Sequence, residues 1–270
     1  MPVPTASSTC RRRVKLHDVT QFSAFRDIPQ GKQIREAFDA YGFFAEVPNH
    51  VRVRDVVRGP DPPDYVICLE NRRIGVELTR LNPKVFGQGG HLRTKEFKRW
   101  KDAAESDPSP KRQFEWGTFT LRELLEAFES QVKRKATKAV RFARDYDEVW
   151  LVFQTESGSP AGCLVQRKFS AGQGHKDSVL SLAGKHLFEM EKTCRSAAPF
   201  NYVILFSGPH LLAFLSGKKS YNFPQPDAEL IKRGAQASEE FLDRQITLYT
   251  VRHRLAYVTS WMDAISVPNF

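Results

Sequence analysis

Asp64, Glu77 and Thr79 are the residues whose types and spacing first suggest chemistry. They lie at the two ends of Asp64-Tyr-Val-Ile-Cys-Leu-Glu-Asn-Arg-Arg-Ile-Gly-Val-Glu-Leu-Thr79, preceded by Pro62 and Pro63. The stretch reads as two short strands joined by a tight turn at Asn71-Arg72, because Asn is a turn residue and the flanks are rich in β-branched and aromatic side chains. A hairpin symmetric about that turn faces Glu70 with Arg73, Asp64 with Thr79 and Val66 with Glu77. Strand alternation then gathers Tyr65, Ile67, Leu69, Ile74, Val76 and Leu78 on one apolar face, and Asp64, Glu77 and Thr79 on the other. Diagonal neighbours across a strand pair lie about 7–8 Å apart at the backbone. Two carboxylates at that spacing can converge on a hard cation such as Mg²⁺ or Mn²⁺. The plain alternative is a pair of solvated acids on the wet face of a hairpin.

The residues that must position this pair lie on either side of it. Residues 29–42 read as a helix with Pro29 at its start, Gly42 at its C-cap, and Ile34, Ala37, Phe38 and Tyr41 at helical spacing. Glu36 lies near that stripe. Residues 43–47 read as a first strand, followed by a polar, basic approach to Pro63-Asp64. Prolines at 62 and 63 set φ and exclude helix at the entry to the next strand. Residues 119–146 read as a long amphipathic helix that Thr118 or Thr120 can cap, with Glu123 three residues after Thr120 as in a capping box. Leu121, Leu124, Leu125, Phe128, Val132, Ala136, Ala139, Ala143 and Tyr146 make its stripe. Lys135 falls inside that arc, Gln131 lies one turn before it on the same side, and Lys138 sits at the margin. A lysine within an apolar arc either snorkels to an edge or points at a partner.

Together these features resemble the PD-(D/E)xK nuclease superfamily, whose restriction-endonuclease-like fold holds a divalent metal at a strand pair. The Pro-Asp is Pro63-Asp64 and the Glu is Glu77; the third position departs from the pattern, since Thr79 stands where the motif has Lys. The resemblance implies Asp64 and Glu77 as metal ligands with the carbonyl of Leu78, and Glu36 as the acidic residue of the first helix. It also implies that Lys135, with Lys138 as second choice, supplies the missing ammonium from the helix. Thr79 and Gln131 would complete the catalytic group. The expected fold is α/β: a restriction-endonuclease-like mixed central β-sheet flanked by helices, with C-terminal additions. Residues 1–28 are then an N-terminal tail, 29–155 the nuclease-like core, and 156–270 a C-terminal extension completing the same domain.

Charge and composition bound the partners. The 270 residues carry 41 Lys and Arg against 31 Asp and Glu, a formal net charge of +10. That balance points to a polyanion, nucleic acid first and DNA in particular. Residues 82–118 read as a Gly- and Pro-bearing loop with a short helix near 92–105. There Arg93, Lys95, Lys98, Arg99 and Lys101 form a basic group that either clamps phosphates or is simply solvated. No apolar run reaches membrane-spanning length, and four scattered cysteines show no CxxC pair, which fits a reducing cytoplasm. A homodimer is left open. The seven histidines lack zinc spacings, and no P-loop, dinucleotide-binding glycine motif or GxSxG elbow occurs. Further on, 147–154 and 201–208 read as buried strands, 155–174 as a loop, 176–194 as a helix and 245–258 as a strand. The sequence-level expectation is a metal-dependent phosphodiester hydrolase. Its alternative is a catalytically inactive nucleic-acid- or protein-binding module on the same fold.

Overall fold

The computed structural model describes residues 19–26, 40–81, 99, 102–103, 113–155, 160–167, 176–217, 220–243 and 245–252. A helix over residues 40–46 (α1) precedes three strands: β1 (Asp55–Arg58), β2 (Tyr65–Cys68) and β3 (Arg73–Arg80). They form an antiparallel meander. After β4 (Gln113–Thr120), the chain enters a helix, here α2 (Leu121–Ala139), and returns through β5 (Glu148–Gln154), parallel to β3. The helices α3 (Pro160–Gln166) and α4 (Lys176–Cys194) lead to β6 (Tyr202–Ser207), parallel to β5, and β7 (His210–Leu215), antiparallel to β6. The helix α5 (Ala228–Gln236) and β8 (Gln245–Arg252) follow. The main sheet is mixed and six-stranded, in the order β1-β2-β3-β5-β6-β7, while β4 and β8 make a separate two-stranded ribbon.

Alternation in the strands builds a core on each face. Tyr65, Ile67, Ile74, Val76, Trp150, Val152, Tyr202, Ile204 and Phe206 meet Ala40, Phe43, Phe44 and Val47. On the other face, Val149, Leu151, Phe153, Val203 and Leu205 meet Phe128 and Val132 of α2, Leu164 and Val165 of α3, and Leu187 and Met190 of α4. Strand β5 is buried on both faces, which is why it reads as an unbroken apolar run. No helix among the described residues is long and apolar enough to cross a membrane.

Several expectations are corrected. Residues 43–47 are not a strand: 40–46 are helical (α1), continuing into a 3-10 turn at Val47–Asn49. Ala40, Phe43, Phe44 and Val47 recur at helical spacing and all face the first core. Gly42 is therefore interior to α1 and not its C-cap; a Cβ there would lie 2.9 Å from the Phe206 ring. The first strand is instead β1, within the polar approach. As an edge strand it buries only Val56; Arg58 is exposed, and Asp55 accepts from Ser23 N–H at 2.8 Å and from the Ser23 hydroxyl at 2.6 Å. Residues 19–26 pack against the sheet through Val19, Phe22 and Phe25, whereas the sequence places them in a tail.

Further along, Gln113–Thr120 is strand where a loop is expected, and Pro160–Gln166 is helix within the expected loop at 155–174. Ala161, Leu164 and Val165 bury one face of that short helix. Helix α2 ends at Ala139 and not at 146, although Ala143 and Tyr146 still pack on the second core. The part of the expected last strand beyond Arg252 lies outside the described residues.

Candidate metal centre at the β2–β3 strand ends

The hairpin register differs from the symmetric one by two residues. Tyr65 pairs with Val76, Ile67 with Ile74 and Cys68 with Arg73, and a four-residue loop closes the turn with Leu69 N–H donating to the Arg72 carbonyl at 2.9 Å. Asp64 is thus set across from Glu77, not from Thr79. Because the shift is even, no side chain changes face. Asp64, Glu77 and Thr79 still share a side, now the side covered by α2, and direct opposition brings Asp64 and Glu77 closer than the diagonal spacing.

The loop before Asp64 fixes its direction. Gly59 N–H donates to the Asp64 carbonyl at 3.0 Å, and Asp61 N–H to that of Pro63 at 3.3 Å. A Cβ on Gly59 would lie 1.8 Å from the Pro63 carbonyl oxygen, so only glycine lets the chain close here. The β2–β3 ladder stops at Tyr65, and the Asp64 side chain takes over. Its Oδ2 accepts from Leu78 N–H at 2.7 Å. In a strand, N–H and C=O of one residue turn to the same edge. The Leu78 carbonyl therefore faces the side of Asp64, as a ligand role for it requires.

Helix α2 closes the site through two rungs. Lys135 Nζ donates to Glu77 Oε2 at 2.5 Å, and Thr79 Oγ1 donates to Gln131 Oε1 at 2.9 Å. Gln131 Nε2 donates in turn to the Arg80 carbonyl at 3.1 Å. The rungs match in length. Two strand residues advance about 6.6 Å and four helix residues about 6 Å. Gln131 meets the later strand residue and Lys135 the earlier one, so α2 runs back along β3. The capping box expected at Thr120 and Glu123 is present and sets where this helix begins. Side-chain exposure is 4% for Glu77 and 13% for Lys135, a largely dry ion pair.

Burial pushes the Asp64 carboxyl up to about 6, and the charge of Glu77 adds to that. The Leu78 N–H and the Lys135 ammonium oppose it. Two carboxylates, Asp64 and Glu77, thus share one ammonium, that of Lys135. This fits a divalent cation bound through two carboxylates and one carbonyl. Mg²⁺ is commonly held that way, with water and phosphate oxygens filling the remaining positions. Among the described residues no group of three or more His, Cys, Asp and Glu side chains is placed to hold a metal.

The structure thus brings together Asp64, Glu77, Leu78, Thr79, Gln131 and Lys135. Glu36, Arg93, Lys95, Lys98 and Lys101 lie outside the described residues. Arg99 is helical and exposed. Sequence reasoning missed Gly59, whose only signal is a glycine ahead of a proline-rich turn. It also missed Tyr146 as a neighbour of the site. A Cβ on Gly75 would lie 3.2 Å from the Tyr146 ring and 3.3 Å from Pro63 Cγ, so the three residues meet.

No protein-family model, no curated protein and no solved structure matches this chain. The functional reading therefore rests on the site itself.

Proposed function

We propose that this protein is a metal-dependent nuclease of restriction-endonuclease-like fold that hydrolyses phosphodiester bonds, with DNA as the first substrate to test. The observation that carries the reading is the contact of Lys135 with Glu77, across from Asp64. The motif position that lacks its lysine is compensated by a lysine from the next helix, which reaches the same carboxylate. In the main sheet and its helices the order helix, three antiparallel strands, helix and parallel strand, with β4 of the separate ribbon before the second helix, supports the fold assignment.

Asp64 and Glu77 would hold Mg²⁺ or Mn²⁺, with the Leu78 carbonyl. When bound, such an ion supplies a Lewis acid that neutralises phosphate charge and lowers the pKa of water. The protein's own groups do the rest. Leu78 N–H orients the Asp64 carboxylate. Lys135 offers a positive charge where negative charge grows on the phosphate as water attacks and a P–O ester bond breaks. Thr79 and Gln131 hold the helix that carries Lys135, so they position the reacting groups and need not touch them.

Manganese binding followed by electron paramagnetic resonance tests the ligand assignment. The wild-type protein is expected to immobilise Mn²⁺, and the Asp64→Ala/Glu77→Ala double variant to leave it free. Equal binding by both proteins sinks the assignment.

A further inference from the structure

The half of α2 that carries Lys135 differs in charge from the half before it. The first half carries Glu123, Glu126 and Glu129 beside one cation, Arg122, which is paired with Asp243 at 2.8 Å. From Lys133 onward every exposed charged side chain is basic through Arg144: Lys133, Arg134, Lys138, Arg141 and Arg144. Lys133 is tied to Glu129 at 2.5 Å. Arg134, Lys138, Arg141 and Arg144 have no carboxylate partner among the described residues. Cations near a helix C-terminus answer its dipole. That accounts for a residue in the last turn, such as Lys138, but not for Arg141 and Arg144 in the turn beyond the helix end. Exposed acids return only at Asp145 and Asp147, and Asp147 accepts from Arg73 N–H at 2.7 Å.

This basic stretch borders the metal centre at both ends. Lys135 reaches Glu77 at one end, and Tyr146 meets Gly75 and Pro63, next to Asp64, at the other. Lys138 follows Lys135 by three residues and so lies on nearly the same side of the helix. Between Lys138 and Arg141 stands Val140, an apolar side chain left 59% exposed. Unpaired cations spaced along a path, with an apolar contact among them, complement a chain of phosphates separated by sugars.

We infer that Arg134, Lys138, Arg141 and Arg144 form the track on which the sugar-phosphate backbone of a nucleic acid docks, leading it past Lys135 to Asp64 and Glu77. The inference rests on the nuclease reading for the direction of the track, not for its charge.

The test is fluorescence-anisotropy titration of labelled duplex DNA in EDTA over a range of salt concentrations. It compares the wild-type protein, Lys138→Gln/Arg141→Gln/Arg144→Gln, and a control triple, Lys192→Gln/Arg195→Gln/Lys232→Gln, at exposed positions on α4, just beyond its end and on α5. Each lost phosphate contact lowers the slope of log affinity against log salt by about one. The track triple is expected to lose two to three units of slope, about 2–3 by that rule, while the control keeps the wild-type slope. DNA binding with an unchanged slope in the track triple overturns the inference. So does wild-type protein that binds phosphatidylserine vesicles and not DNA, or neither. In a parallel assay with Mg²⁺ in place of EDTA, cleavage by the wild type together with an unchanged salt slope in the track triple sinks the track and spares the nuclease. A slope lost in the triple, with no cleavage by any protein, does the reverse.

Discussion

The hydroxyl of Thr79 lies 2.9 Å from Oε1 of Gln131 and donates to it. Thr79, which stands where the resembled motif has Lys, is thus where the strand grips the helix that carries Lys135. Replacing Thr79 by Val removes that donor and leaves Gln131 Oε1 without it, at about 1 kcal/mol. Thr79→Ser keeps the hydroxyl and is expected to behave as wild type. Chemical acetylation of Lys135, read by mass spectrometry, should rise in Thr79→Val and not in Thr79→Ser. Equal labelling in all three proteins would show that Thr79 does not set the lysine.

Lys135 is the resident counter-ion of a buried carboxylate. Lys135→Met leaves Glu77 uncompensated and is expected to cost about 3 kcal/mol without metal. A divalent cation can take over the compensation, so Mg²⁺ should raise the melting temperature of Lys135→Met more than that of the wild type. Cleavage should fall in the same variant. Equal metal stabilisation of both proteins, measured by scanning calorimetry, would contradict this competition.

Asp64 gives the site a pH signature. Its folded pKa is raised from 3.8 to about 6, by burial first and the charge of Glu77 second. Between those values the folded state keeps a proton that the unfolded chain releases. Stability therefore falls as pH rises through that window, and the loss is complete above about 6, at roughly 2–3 kcal/mol. Asp64→Asn keeps an acceptor for Leu78 N–H without the charge. Urea denaturation should find it more stable than wild type at pH 8 and nearly equal at pH 4. A difference that does not vary with pH would refute the shift.

Gly59 controls where Asp64 points. A Cβ would meet the Pro63 carbonyl at 1.8 Å, so Gly59→Ala must displace the loop. About 2 kcal/mol of destabilisation is expected, together with weaker Mn²⁺ binding. Unchanged stability and binding would mean that the loop has slack.

Much of this was legible in the sequence, and the failures have physical causes. Strand β5 and helix α2 declare themselves through one long buried run and one long apolar stripe. The acidic face of the hairpin survives a wrong register because the error is even. Residues 43–47 mislead because two adjacent phenylalanines look like strand until Ala40 and Val47 are counted with them. Strand β1 hides because an edge strand buries one residue in four. The rungs from Thr79 to Gln131 and from Glu77 to Lys135 are tertiary; only the place of Lys135 in an apolar arc hinted at the second.

The most direct test of the central claim is cleavage of supercoiled plasmid and of single-stranded DNA with Mg²⁺ or Mn²⁺, beside Asp64→Ala and Glu77→Ala. Metal-dependent cutting by the wild type, abolished in both variants, is the expected result. Cutting that survives in both variants would place the chemistry elsewhere. No cutting by the wild type under either metal would leave Asp64, Glu77 and Lys135 as a structural cluster.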